Sequence, residues 1–249
     1  MKRAISLYEA TLADRERVLG PDHPDTLISR NNLARAYELV GDLGRALPLF
    51  ESALADRERV LGPDHPDTLM SRNNLAGVYE SVGDLGRAIP LFEDTLAVSE
   101  RVLGPDHPDT LISRNNLAYA YQAAGDLGRT IPLYEATLAV SERVLGPDHP
   151  STLTSRNNVA CACQAAGDLG RAISLFESAL ADRERVLGPD HPDTLMSRNN
   201  LAGAYESVGD LGRAIPLYEA TLAVSVRVLG PDHPTTRIIR SNLGGAQGA

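Results

Sequence analysis

The sequence has no tryptophan, and only three phenylalanines, three methionines and two cysteines in 249 residues. Lys2 is its single lysine, so the other 23 cationic side chains are arginines. Each scarcity excludes something. Cys161 and Cys163 stand two apart on a predicted helix and point to different sides, so an intrachain disulfide is excluded. A reduced, cytoplasmic setting is the expectation. No apolar run approaches the length of a spanning helix or a secretory core, so no membrane partner is expected. No basic run exists either, and a net charge of −9 argues against nucleic acid as a partner.

What the sequence has in abundance is itself. Arg30-Asn31-Asn32-Leu33-Ala34 returns at 72–76, 114–118 and 198–202, and with valine for leucine at 156–160. A worn copy reads Arg240-Ser241-Asn242-Leu243-Gly244, and the step is always 42 residues. Gly-Pro-Asp-His-Pro occurs at 20–24, 62–66, 104–108, 146–150, 188–192 and 230–234; Gly-Asp-Leu-Gly-Arg occurs at 41–45, 83–87, 125–129, 167–171 and 209–213. Repeat arrays grow by adding units and need no single globular core.

Between these marks the apolar residues keep helical time. Leu33, Ala36, Tyr37 and Val40 follow one helical stripe; Leu43, Ala46, Leu47, Phe50, Leu54 and Leu61 follow the next. Nothing alternates as a strand would, so the chain reads as all-α. His23 is expected to cap a helix that begins at Pro24, and Gly41 to end it in a left-handed conformation. Asp42 caps the following helix, which Gly62 and Pro63 close. Pro48, Pro90, Pro132 and Pro216 fall about six residues into these second helices and predict an irregular or kinked first turn. The glycines at 244, 245 and 248 predict a fraying end. Full units run 25–66, 67–108, 109–150, 151–192 and 193–234; residues 1–23 supply a second helix alone and 235–249 a first helix alone. About twelve helices result.

Leu33, Ala34, Tyr37, Gly41, Ala46, Phe50, Ala53 and Leu54 match the small and large packing positions of a tetratricopeptide repeat (TPR). The Asn-Asn-Leu-Ala run and the Leu-Gly-Pro-Asp-His-Pro connector resemble the 42-residue variety found in kinesin light chains. The resemblance spans 1–249 and implies a right-handed superhelical solenoid of stacked antiparallel helix pairs. It also implies that first helices line a concave groove in which peptides bind. Arg30 departs from the pattern, since many such repeats carry tryptophan there.

Candidate chemistry is sparse. The six connector histidines each stand alone beside one aspartate, too far apart to share an ion, and are expected as caps. No metal site, cofactor, nucleophile–base set or phosphate loop emerges, so no enzyme is expected. Cys163 takes the place of the packed Tyr37, and Cys161 the groove register. The asparagine pairs sit beside the core stripe: Asn73 and Asn74, Asn115 and Asn116, Asn157 and Asn158, Asn199 and Asn200. Their amides either hydrogen-bond a peptide in the groove or knit neighbouring first helices. Three residues after the second asparagine the copies diverge, as Arg35, Gly77, Tyr119, Cys161, Gly203 and Gly245. Tyr119 is a candidate anchor, with Gln122 one turn on.

The expected function is a non-enzymatic scaffold that binds a peptide segment of a partner protein. The alternatives are a sensor or autoinhibitory array of a larger, NTPase-linked signalling protein, and a self-stacking filament or spacer. The half-units 1–23 and 235–249 are complementary, which predicts head-to-tail self-association.

Overall fold

The computed structural model describes residues 2–248. Among them are twelve α-helices and no strand. They form two compact units, residues 1–126 and 127–249. The first holds α1 (Lys2–Leu19), α2 (Pro24–Leu39), α3 (Leu43–Leu61), α4 (Pro66–Ser81), α5 (Leu85–Val102) and α6 (Pro108–Ala123). The second holds α7 (Leu127–Val144), α8 (Pro150–Ala165), α9 (Leu169–Leu187), α10 (Pro192–Ser207), α11 (Leu211–Leu229) and α12 (Pro234–Gly248). Within each unit every helix packs on its neighbours in sequence. First helices also meet one another, α4 with α6, α8 with α10 and α10 with α12.

The helix ends follow their local chemistry. The imidazole Nδ1 of His23 accepts the Asp25 backbone N–H at 3.2 Å, and Pro24 opens α2 where a missing N–H costs nothing. His65, His107, His149, His191 and His233 do the same. All six histidines are caps. At the other end Gly41 turns left-handed, with φ 76°. Its N–H reaches Glu38 O, and that of Asp42 reaches Tyr37 O. This Schellman closure leaves Val40 outside the helix and exposed, so the apolar stripe drawn through it ends at Tyr37.

The core of a pair is compact: Leu33, Ala34 and Tyr37 of α2 against Ala46, Phe50 and Ala53 of α3, all buried. In α1 the register equivalents of Leu49 and Phe50, which are Leu7 and Tyr8, are exposed. The prolines do not interrupt their helices. α3, with Pro48, and α9, with Ser174 in the same place, each span 19 residues. The carbonyl that proline leaves without its donor belongs to Gly44, an exposed residue of the first turn that water reaches. The helix α12 likewise continues through Gly244 and Gly245 to Gly248.

Candidate peptide-binding groove

Polar side chains tie the helices together, and the Arg30-type arginines join first helices to the second helices beside them. Arg30 is buried. It donates to Glu16 of α1 at 2.8 Å and also binds Asp56 of α3, so one guanidinium clamps two second helices. Arg156 does the same between Glu142 of α7 and Asp182 of α9. Among the described residues Arg72, Arg114 and Arg198 hold only the preceding glutamate, Glu58, Glu100 and Glu184, each through a bond of 2.5–2.6 Å. The fork geometry of arginine suits such two-sided contacts. An arginine therefore joins neighbouring repeats where the resemblance suggested an aromatic.

A second set fixes the connectors. Arg59 grips Asp22 at 2.9 Å, Arg101 grips Asp64 at 2.8 Å and Arg185 grips Asp148 at 2.9 Å. The hydrogen bonds hold these carboxyls below the usual range. Tyr37, Tyr79, Tyr121 and Tyr205 each donate to a glutamate of the preceding second helix, Glu9, Glu51, Glu93 and Glu177. Where Cys163 replaces the tyrosine, Arg171 takes Glu135 instead. Cys163 is buried and Cys161 half-buried; burial raises both thiols, Cys161 to about 11. Both thiols are thereby held more protonated than a free cysteine.

The asparagines divide. Asn74 Nδ2 donates to Asn31 Oδ1 at 3.3 Å, Asn200 to Asn157 at 3.1 Å and Asn242 to Asn199 at 3.0 Å. These amides link neighbouring first helices, α2 with α4, α8 with α10 and α10 with α12. Asn73 instead donates to Ser113 Oγ of α6 at 2.7 Å, and its buried Oδ1 has no partner among the described residues. Asn157 adds a weak contact to Cys161 Sγ at 3.6 Å. Asn115, Asn116 and Gln122 are half-buried on α6, and Asn158 is half-buried on α8.

In the first unit two adjoining cavities open along α2, α4 and α6. The larger, about 630 Å³, is bordered by Arg35, Glu38, Gly77, Glu80, Phe92 and Tyr119. The smaller, about 320 Å³, lies over Ser99 between Met70 and Ile112. Arg35, Asn73, Asn74 and Asn116 border both. Tyr119 is 56% exposed and faces the open space beside Gly77, where an added Cβ would meet nothing. Glu80 is half-buried and unpaired among the described residues, and burial raises its carboxyl. Asn73, Asn74, Asn116 and Tyr119 are thus brought together. Asn115 and Gln122 share α6 but border neither cavity. Cys161, Asn157, Asn158, Asn199 and Asn200 belong to the second unit.

Sequence reasoning missed Met70 and Ile112, exposed by 50% and 53%, and also missed Ser99. The signal was available. Met70, Asn73, Asn74 and Gly77 follow i, i+3, i+4, i+7, a second helical stripe beside the core stripe.

The family model for the tetratricopeptide repeat matches residues 1–59, 40–100, 73–129, 115–184, 163–225 and 197–249. The chain belongs to the tetratricopeptide repeat family, a class of protein–protein interaction scaffolds that are typically non-enzymatic. It is similar to a kinesin light chain-like protein of Podosopora anserina with nearly identical TPR-like repeats. Identity is 33%, over 82% of this chain and 97% of that one, with a TM-score of 0.74. A second structure of that protein gives 34% over the same shares and a TM-score of 0.72. BtubC (BKLC) from P. vanneervenii shares the fold at 22% identity, over 94% of this chain and 93% of that one, with a TM-score of 0.77. No curated protein matches the chain. Among the described residues no helix is long and apolar enough to cross a membrane, and no group of three metal-capable side chains comes together.

Proposed function

We propose that the first unit binds a peptide segment of a partner protein along α2, α4 and α6. The observation that carries this reading is Tyr119, an exposed aromatic bordering the larger of two cavities that share four bordering side chains. A tyrosine offers large contact area at low entropic cost, and an aromatic beside an open pocket is a typical anchor of an interface. Asn116 borders both cavities and presents donor and acceptor groups suited to a peptide backbone. In this reading Asn74, Asn157, Asn199 and Asn200 set the spacing of the first helices, while Asn73, Asn116 and Tyr119 meet the ligand.

A peptide-display selection on the full chain tests this, repeated on a Tyr119→Ala, Asn116→Ala variant. Selected peptides are expected to bind the variant at least tenfold more weakly. Equal binding to the variant would sink the groove reading.

A further inference from the structure

We propose that the smaller cavity, over Ser99 between α4 and α6, receives an arginine side chain of the partner peptide. This rests on the peptide-binding reading above and adds the chemistry of the residue bound.

The argument begins with a dimorphism in the chain itself. Second helices carry either Asp-Arg, at Asp14-Arg15, Asp56-Arg57 and Asp182-Arg183, or Val-Ser, at Val98-Ser99, Val140-Ser141 and Val224-Ser225. Where arginine is present it turns inward to the following first helix. Arg57 Nη1 donates to Asp67 O at 3.1 Å and to Ser71 Oγ at 2.6 Å. Arg15 makes the same pair of bonds to Asp25 O at 2.9 Å and Ser29 Oγ at 2.7 Å. Arg183 makes them to Asp193 O at 3.2 Å and Ser197 Oγ at 2.6 Å. Three repeats therefore hold a guanidinium in one fixed place.

At α5 the arginine is Ser99, and the equivalent acceptors on α6 are Asp109 O and Ser113 Oγ. Both residues border the smaller cavity, together with Ser99. The space that Arg57 fills from within is open here to the groove side. Without an arginine, the Ser113 hydroxyl donates to Asp109 O at 3.0 Å and accepts the Asn73 amide at 2.7 Å. Two acceptors then stay unused. Ser99 is 1% exposed, and its Oγ has no partner among the described residues; neither does the buried Asn73 Oδ1 beside it. Buried polar atoms of this kind are normally paired, and both can accept from an incoming donor.

The walls say which donor fits. Met70 and Ile112 flank the entrance and suit an aliphatic stem. Asp109 stands at the rim, its side chain 59% exposed, and the unpaired Glu80 borders the adjoining cavity. The one cation on the shared border, Arg35, lies 3.9 Å from Glu38. A carboxylate ligand would meet acceptors and negative charge. A lysine would bring a compact, strongly hydrated ammonium, whereas a planar guanidinium sheds water more readily and presents its donors in a fork.

The test introduces Ser99→Arg, which gives α5 the residue that α3 and α9 already carry at this place. Ser141→Arg in the second unit is the control. Displayed random heptapeptides selected on the wild-type full chain are expected to share an arginine at one position. They should bind the Ser99→Arg chain at least tenfold more weakly and the control chain unchanged. Peptides that depend on Tyr119 but show no arginine preference overturn the pocket and leave the peptide reading standing.

A second measurement decides the pocket whether or not peptides are selected. Millimolar N-acetyl-arginine amide should shift the methyl resonance of Met70 in carbon-labelled wild-type chain. The neutral isostere N-acetyl-citrulline amide should not, and neither probe should shift it in Ser99→Arg. No shift with the arginine probe, or an equal shift with citrulline, overturns the proposal.

Discussion

Tyr218 donates its hydroxyl to Glu206 at 3.0 Å, a bond that Phe92, in the same place of the repeat, cannot offer Glu80. The two glutamates are otherwise equivalent. The difference leaves Glu80 half-buried and unpaired in the first unit, with its carboxyl raised by burial alone. Tyr218 shows the reciprocal effect: burial first, then Glu206, raises its phenol.

The first prediction follows from that pair. Phe92→Tyr should stabilise the first unit by about 1 kcal/mol, the net worth of a typical hydrogen bond. It should also lower the Glu80 pKa, because the new donor favours the carboxylate. The pH dependence has a definite sign. With a folded pKa above the ordinary 4.5, the folded state binds more protons than the unfolded state between the two values. Stability therefore falls as pH rises through that window, and is regained below it. Carboxyl NMR titration of Glu80 in both chains checks the shift, and denaturation across mildly acidic pH checks the sign. An identical Glu80 titration in the two chains would refute it.

The same hydroxyl separates two glycines preceded by identical sequence. An added Cβ at Gly77 meets nothing within 4 Å, whereas at Gly203 it meets Tyr218 Oη at 3.2 Å. Neither glycine has a positive φ. Gly77→Ala should accordingly gain up to ~1 kcal/mol from helix propensity alone. Gly203→Ala should gain less or lose, because the phenol must move away from Glu206. Adding Tyr218→Phe to Gly203→Ala should recover the propensity gain relative to Tyr218→Phe alone. Denaturation midpoints of the variants check this; equal gains at the two glycines would contradict the steric argument.

The helices and their ends were legible because each signal is local. His23 with Pro24, Asp42 and Gly41 fix their own backbone within four residues, and the period of 42 repeats the message. Tyr37 and Phe50 were legible as core for the same reason. Arg30 was not, because its partners Glu16 and Asp56 lie in two different helices and the spacing along the chain says nothing of which side chains meet. Ser99 was still less legible. A small polar residue marks a pocket only when set against Arg57 and Arg183, which fill the same place from within. Pro48 was legible as a local cost but not as a boundary: the carbonyl it orphans falls on an exposed first turn, and the helix keeps its bounds.

The clamp at Arg30 supplies the third prediction. Arg30 is 8% exposed and held by carboxylates from both sides, whereas Arg240 is exposed and reaches only the Pro231 carbonyl, at 3.2 Å. Val226 stands where the earlier copies place the glutamate. Removing Arg30 takes the partner from Glu16, whose side chain is 41% exposed, and leaves Asp56 with Arg59 alone, so Arg30→Ala should cost about 2 kcal/mol. Arg240→Ala should stay within about 0.5 kcal/mol, as for surface sites without special contacts. Arg30→Lys separates charge from geometry. A single ammonium keeps the charge but cannot span Glu16 and Asp56 as a planar fork does, so it should recover less than half of the loss. Denaturant titration of the full chain, followed in the first unit by the amide resonances of α2, checks all three. If Arg30→Lys restored full stability, net charge would explain the site and the two-sided clamp would not.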